Sequence, residues 1–252
     1  MANFKDWCEF KYWTVDGHDL HEVTADPGKN KTAIASVASS VPRAYVAPMR
    51  LAQMLRLLGK NKAAAYLADK LPESKTLRSG DLGEVLCSSF VDEQTDYKLG
   101  IWRLRWKDTG TMSMRGEDVL GFALTPTNKL RVLKAESKSR KSMTSAVIGE
   151  AREALCANGG LPSPHAMAFV ADRLDELGDS NLSTAIINAT LKTKLKSKQV
   201  KHLLFSFSES DPSQLLANSL AAYSGPCEQL YVRLQVSQHQ NFIKSVFSAV
   251  RV

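Results

Sequence analysis

Cysteine is scarce and widely spaced in this chain of 252 residues, with only Cys8, Cys87, Cys156 and Cys227. No Cys-x-x-Cys pair or Cys/His cluster occurs, so neither a zinc site nor a small disulfide framework is indicated. The five histidines also lack metal-ligand spacing. We therefore expect free thiols, which are usual in a reducing compartment.

Long apolar runs are absent as well. No segment reaches the roughly 20 consecutive apolar residues that a membrane helix requires. The opening sequence is charged where a signal peptide would be apolar, since it reads MANFKDWCEF. These features predict a soluble, cytoplasmic protein without a membrane partner.

Two further motifs are missing. Gly28-Lys29 and Gly59-Lys60 lack the upstream glycine of a phosphate-binding loop, and no G-x-S-x-G nucleophile elbow occurs. The chain therefore carries no helicase signature of its own. What is present is ordinary globular composition, with 44% hydrophobic and 23% charged residues, and a net charge of +7. That charge favours a polyanionic partner.

Hydrophobic periodicity predicts alternating helices and strands after a mixed segment at residues 1–45. Helices are predicted over 76–93 and 144–158, with two more over 48–71, broken near Gly59, and two over 162–196. Strands are predicted over 97–106, 118–124 and 130–138. Two units of a strand followed by a helix begin at Lys201 and Gln229. This order predicts an α/β protein with a mixed β-sheet flanked by helices. We divide it into an N-terminal region, 1–74, and a core, 75–252, or treat it as one domain.

The chemistry is predicted in the hairpin of the second and third strands. If Thr127 is the centre of the turn, paired positions sum to 254, so Asp118 lies opposite Glu136. Lys138 points to the same face because strand side chains alternate. Two adjacent carboxylates repel each other unless a cation intervenes, and Mg²⁺ satisfies that requirement. This arrangement is typical of phosphodiester hydrolysis.

The Glu-x-Lys spacing alone is not specific, since it also occurs at Glu9/Lys11 and Glu73/Lys75. Only Glu136/Lys138 lies on a predicted strand with an aspartate placed opposite. The alternative interpretation is a solvated ion pair on an edge hairpin, contributing about 0–1 kcal/mol.

Three motifs carry a family resemblance: GDLGEVL at 80–86, RGEDVLGF at 115–122 and VLKAESKSR at 132–140. They resemble the PD-(D/E)xK nuclease superfamily, and more narrowly the HamA family, the nuclease subunits of Hachiman anti-phage defence systems. The resemblance covers roughly residues 75–210 and implies a restriction-endonuclease-like core with N-terminal helices and a helical insertion. The superfamily's proline before the aspartate is absent, because Arg115-Gly116-Glu117 stands there.

The resemblance implies a role for each residue. Asp118, Glu136 and the carbonyl of Ser137 would bind Mg²⁺ or Mn²⁺, Lys138 would be catalytic, and Glu84 would be directed at the metal or its water. Glu84 could equally be a surface residue or a capping partner. Glu117 is a rival for the acidic role, but strand alternation turns it to the opposite face. We therefore prefer Asp118.

The resemblance also implies partners: DNA, and a superfamily 2 helicase (HamB-like) that would hold the nuclease inactive until it meets aberrant DNA. Lys134, Arg140 and Lys141 lie near the acidic pair and are predicted to contact nucleic acid without reading sequence. A second lysine set at 192–201 is interpreted as a solvated face. Two alternatives remain: a non-catalytic nucleic-acid-binding subunit, and a structural adaptor for a helicase.

Overall fold

A computed structural model describes residues 1–107 and 116–251. The strands are β1 Cys8–Val15, β2 His18–Ala25, β3 Lys98–Leu99, β4 Val119–Leu124, β5 Leu130–Arg140, β6 Val200–Ser208 and β7 Glu228–Gln235. The helices are α1 Asn30–Tyr45, α2 Pro48–Lys70, α3 Lys75–Gln94, α4 Ser145–Cys156, α5 Pro164–Glu176, α6 Ser180–Ile187, α7 Ser213–Ala221 and α8 His239–Ala249. The predicted α/β class is confirmed.

The strands form one mixed sheet in the order β1-β2-β7-β6-β5-β4-β3. The pairs β2–β7, β7–β6 and β6–β5 are parallel, whereas β1–β2, β5–β4 and β4–β3 are antiparallel. Strands β6 and β7 are buried along nearly their whole length, as expected where helices cover both faces of a parallel sheet. Strand β5 lies inside this sheet, so the predicted site hairpin is not an edge hairpin.

The register of the β4–β5 hairpin is the one predicted from its turn. Val119 pairs with Ala135 and Leu124 with Leu130, so each pair sums to 254. Thr125 closes the turn, because its amide donates to the Lys129 carbonyl at 2.9 Å and its hydroxyl accepts from the Lys129 amide at 3.0 Å. A short polar turn therefore sets which side chains meet six residues further along the strands, about 20 Å away.

The strand predicted over 97–106 is wrong for most of its length. Only Lys98–Leu99 pairs with β4, and Arg103–Trp106 forms a 3₁₀ turn. Gly100 lies so close to Phe122 that a Cβ there would meet the ring at 2.5 Å. The alternating side-chain pattern that predicted this strand continues past Gly100, but the backbone leaves the sheet at this glycine. The two tryptophans of this segment therefore do not share a strand face.

Residues 1–45, for which no order of elements was predicted from the sequence, contribute a hairpin and helix α1. Asp16 and Gly17 both have positive φ, +48° and +81°, as a tight two-residue hairpin turn requires. Strand β2 then pairs with β7 in the same sheet as the site hairpin. The division at residue 75 stays a prediction. Within the described residues, every helix is too short or too polar to cross a membrane.

Helix α3 packs directly on β5, and the predicted apolar stripe of Leu82, Val85, Leu86 and Phe90 is buried. Gly83 permits this close approach. A Cβ there would lie 3.0 Å from the Ser137 hydroxyl and 3.1 Å from the Ser139 Cβ. The close packing of α3 on β5 therefore depends on the absence of a side chain at Gly83.

We predict that Gly83→Ala is less stable than Gly80→Ala by about 1–3 kcal/mol, the range for overpacking a core. Both variants gain the helix propensity of alanine, but a Cβ at Gly80 meets nothing within 4 Å. Urea denaturation of the two purified variants measures the difference. Equal unfolding free energies would contradict the close helix–strand packing.

Candidate active site

Asp118 immediately precedes β4 and accepts a hydrogen bond from the β5 backbone. Its Oδ2 lies 2.9 Å from the Ser137 amide nitrogen. If the hairpin register is extended by one position, Asp118 stands opposite Glu136, as predicted. The beginning of one strand and the second half of the next therefore bring two carboxylates to the same end of the hairpin.

Lys138 forms an ion pair with Glu136, with 2.9 Å between Nζ and Oε1. The two residues are two positions apart on β5 and so share a face. Their side chains are only 19% and 15% exposed. The alternative of a solvated surface pair is therefore wrong, since water reaches little of either side chain.

Arg103 links two of the predicted acids. Its Nη2 lies 2.9 Å from Glu84 Oε2 and 3.2 Å from Asp118 Oδ1. A further hydrogen bond joins Nε to Glu84 Oε1 at 3.3 Å. Arg103 was not predicted as a site residue, because its position was expected to lie on a regular strand. Glu84 is buried, so its interpretation as a surface residue is wrong.

A second buried ion pair lies one helical turn before Glu84. The Lys107 ammonium contacts both oxygens of Asp81, at 2.7 and 2.9 Å, and the Tyr45 hydroxyl donates to Asp81 Oδ2 at 2.7 Å. Asp81 and Glu84 lie three positions apart and therefore on one side of α3. The sequence offered no sign of this cluster, because its members are far apart in the chain.

Burial raises the pKa of all three site carboxyls. The pKa of Glu84 rises from 4.5 to about 7 because its charged form is poorly solvated, although Arg103 opposes the shift. Burial also raises the pKa of Asp118, against Arg103. The pKa of Glu136 is raised first by burial and then by repulsion from Asp118. Such perturbed carboxyls are typical of functional sites.

These residues line one cavity of about 280 Å³. Its walls include Glu84, Asp118, Glu136, Ser137, Lys138 and Arg140. All four predicted catalytic residues and one predicted nucleic-acid contact therefore meet in a single concave place. Lys141 is exposed directly after β5, where its carbonyl accepts from the Glu209 and Ser210 amides at 3.1 Å.

Lys134 does not belong to this surface, and its prediction as a nucleic-acid contact is wrong. The side chain is buried, and Nζ donates to the carbonyls of Leu155, Ala157 and Leu161 at 3.0–3.2 Å. It thus satisfies the carbonyls at the end of α4, where a cation is favoured. An ammonium held in this way is not available to a phosphate.

Glu117, the rival acid, is engaged elsewhere. Its carboxylate accepts from the Ser163 amide at 2.6 Å and from the Ser163 hydroxyl at 3.1 Å, at the N-terminus of α5. An acid that caps a helix satisfies backbone donors there. The preference for Asp118 over Glu117 agrees with these contacts.

Asp118 and Glu136 could hold a hard divalent cation, because carboxylate oxygens are the ligands that Mg²⁺ prefers. Among residues 1–107 and 116–251, no group of three or more His, Cys, Asp or Glu side chains is arranged as a metal cage. Beside this pair, the Ser137 hydroxyl is a buried polar atom without a hydrogen-bond partner in the described part of the chain. The donor set fits a metal bound partly by protein and completed by water or substrate.

The fold and the site define an α/β protein with an acid–acid–lysine cluster at the mouth of a hairpin inside a mixed sheet. The chain matches the HamA protein family over residues 2–250 and belongs to that family. It is 25% identical over 249 residues to the Hachiman protein HamA of Bacillus cereus, covering 96% of this chain and 89% of that relative. The resemblance to the HamA family is confirmed, and it supports a role in Hachiman anti-phage defence.

We predict that Glu84 makes stability pH-dependent. Its folded pKa of about 7 exceeds the ordinary 4.5, so the folded chain binds more protons than the unfolded chain between these values. Stability from this group therefore falls as pH rises from about 4.5 to about 7. The unfolding free energy of the native protein relative to Glu84→Gln should decrease by about 3 kcal/mol over that window.

Urea denaturation in EDTA at a series of pH values measures this difference. The control is Glu73→Gln, which changes an exposed glutamate and should leave the profile unaltered. Parallel stability profiles for the native protein and Glu84→Gln would show that the carboxyl titrates normally.

Proposed function

We propose that this chain is a metal-dependent DNA nuclease with a restriction-endonuclease-like core, acting as the effector of an anti-phage defence complex. The observation that carries the proposal is the convergence of Asp118, Glu136 and Lys138, with Glu84 behind them, in one cavity. Two carboxylates with raised pKa values beside an ammonium suit phosphodiester hydrolysis better than a purely structural role.

Each side chain has a task in this proposal. Asp118, Glu136 and the Ser137 carbonyl would hold Mg²⁺ (or Mn²⁺), which when bound supplies an acidic water and polarises the phosphate. Lys138, held by Glu136 at 2.9 Å, would orient the attacking water or offset negative charge on the phosphate. Arg140 lines the same cavity and would contact the neighbouring backbone phosphate, as would the exposed Lys141.

DNA is proposed as a substrate cleaved largely without sequence preference. The proposed contacts are cationic side chains suited to phosphates, which carry no base information. Control by a superfamily 2 helicase partner (HamB-like) is proposed from family membership. In support, neither Gly28 nor Gly59 opens a phosphate-binding loop: Gly28 lies in a short 3₁₀ turn, and Gly59 forms a kink within α2.

One observation favours a second candidate, a non-catalytic nucleic-acid-binding or adaptor subunit. Asp118 and Glu84 share the Arg103 guanidinium, and such an ion pair could be only structural. A metal would have to compete with this resident cation for Asp118. Intact Asp118, Glu136 and Lys138 nevertheless favour the nuclease, because a decayed site usually loses one of its members.

We predict that the purified protein, with its partner where required, nicks or degrades plasmid in Mg²⁺ and that EDTA abolishes the reaction. Lys138→Ala should lower the cleavage rate at least about 100-fold, because it removes the group that assists the water or phosphate. Glu136→Ala should do the same. Gel analysis of plasmid over time measures the rates.

The matched control is Lys11→Ala. Lys11 belongs to another Glu-x-Lys pair on a strand, but in β1 at the exposed edge of the sheet. Its cleavage rate should equal that of the native protein. Full activity of Lys138→Ala would place the chemistry elsewhere, and an inactive complex with its partner and Mg²⁺ present would favour the adaptor.

We further predict that metal binding responds oppositely to changes at Asp118 and Arg103. Asp118→Asn should weaken Mn²⁺ binding, because it removes a charged ligand. Arg103→Gln should strengthen it at least about tenfold, because a positive charge about 3 Å from the ligand is lost. Isothermal titration calorimetry measures both affinities without any substrate.

Arg131→Gln is the matched control, since Arg131 forms an exposed ion pair with Asp96 at 2.8 Å outside the cavity. It should leave Mn²⁺ affinity unchanged. Weaker binding by Arg103→Gln would mean that the guanidinium organises the carboxylates for the metal instead of competing with it.

A further inference from the structure

A second concave surface lies away from the candidate active site. It is a cleft of about 740 Å³ between the β4–β5 turn and the segment that follows α6. We call it the lysine cleft, because its lining includes Lys129, Lys194, Lys196 and Lys198. Leu130 at this cleft and Lys138 at the site are eight residues apart on β5, about 26 Å along an extended strand.

The lysine cleft carries uncompensated positive charge. No aspartate or glutamate lines it, and among the described residues none of its four lysines forms an ion pair. Lys201, which the sequence analysis grouped with the 192–201 set, behaves differently. Its ammonium contacts Asp19 at 2.9 Å and Glu228 at 2.7 Å. The structure thus separates a neutralised lysine from those that surround the cleft.

Neutral hydrogen-bonding groups accompany these ammonium groups. Asn128, Asn181, Thr184 and Asn188 also line the cleft. Ammonium, amide and hydroxyl donors together are the groups that contact phosphates and sugars in nucleic-acid complexes. Lysine is depleted at protein–protein interfaces, so this lining suits a phosphate backbone better than a protein partner.

The backbone that presents the lysines is unusual and held in place. Helix α6 continues into a π-helical turn over Asn188–Lys192, and Lys194 has a left-handed φ of +55°. The Thr193 amide donates to the Asn188 carbonyl at 2.9 Å. Gln199 Nε2 donates to the Leu130 carbonyl at 2.9 Å, which ties the segment to β5. Irregular backbone fixed in this way is frequent at functional sites.

We propose that the lysine cleft binds the phosphate backbone of a nucleic-acid strand, as a site separate from the acidic cavity. The proposal does not require that the chain be a nuclease. It assigns to the cleft a sequence-independent, salt-sensitive affinity, because each ammonium–phosphate contact releases counterions. Lys129 on the turn and the lysines after α6 both line it.

The test measures binding of a fluorescently labelled DNA duplex by anisotropy at several salt concentrations. All proteins carry Lys138→Ala and the buffer contains EDTA, so cleavage plays no part. The cleft variant is Lys194→Ala/Lys196→Ala/Lys198→Ala, and the control is Lys31→Ala/Lys60→Ala/Lys62→Ala. Both triple variants remove three exposed positive charges. Lys129→Ala tests the contribution of the β4–β5 turn.

We expect the cleft variant to bind DNA at least tenfold more weakly than the control variant. The slope of the logarithm of the DNA association constant against the logarithm of salt concentration should become shallower by roughly 2–3. Each lost phosphate contact accounts for about 0.9 of this change. Lys129→Ala should change both quantities in the same direction and by less. Circular dichroism and thermal melting of each variant establish that the fold is retained.

Three results would overturn the proposal. Equal weakening by the cleft and control variants would mean that only net charge matters. Unchanged DNA binding with lost binding of inorganic triphosphate would identify a site for small phosphate compounds. Unchanged DNA binding with lost binding of poly-glutamate would identify a surface for an acidic protein. Absence of plasmid cleavage bears only on the nuclease, because these measurements exclude turnover.

Discussion

The Asp118 carboxylate is the point at which the parts of the site are joined. One carboxylate oxygen accepts a hydrogen bond from the Ser137 amide of β5. The other oxygen forms an ion pair with Arg103, which also forms one with Glu84 on α3. The hairpin, the 3₁₀ turn and the helix are therefore joined through the partly buried Asp118 carboxylate and the Arg103 guanidinium. Gly83 completes the arrangement by letting α3 approach β5 closely. The geometry of the cavity follows from these few contacts.

This arrangement has a cost in stability. Carboxylates removed from water lose solvation, which is why Glu84 has a pKa of about 7 even though Arg103 stands beside it. Burying well-packed apolar side chains would be the more stable solution for a purely structural junction. A chain that keeps Asp118 and Glu136 close together, each raising the electrostatic cost of the other, is organised for something other than stability.

The hairpin was predictable because its register depends on local turn chemistry and its side chains alternate strictly. Those two rules brought Asp118, Glu136 and Lys138 together correctly. The position of Arg103 in the site was not predictable, because the strand ends at Gly100 although the alternating side-chain pattern continues beyond it. Lys134 obeyed the alternation, yet its role depends on where α4 ends, which no local pattern reveals. The contacts of the Lys134 ammonium are therefore set by where α4 ends in the tertiary structure.

The distribution of charge explains why the acidic cavity and the lysine cleft are distinct. In the cavity region, Arg103, Lys107 and Lys138 each pair with a carboxylate, so they add little attraction for a polyanion. The net charge of +7 therefore acts mainly through other side chains, among them Arg140 at the cavity and the four lysines of the cleft, which form no ion pair in the described chain. A site proposed to hold a metal cation binds it best when it is not strongly positive, because the ammonium groups that attract phosphate would repel the metal. The lysine cleft includes Leu130 at the first residue of β5, whereas Lys138 lies near the last, so the attracting charges are separated from the proposed metal site.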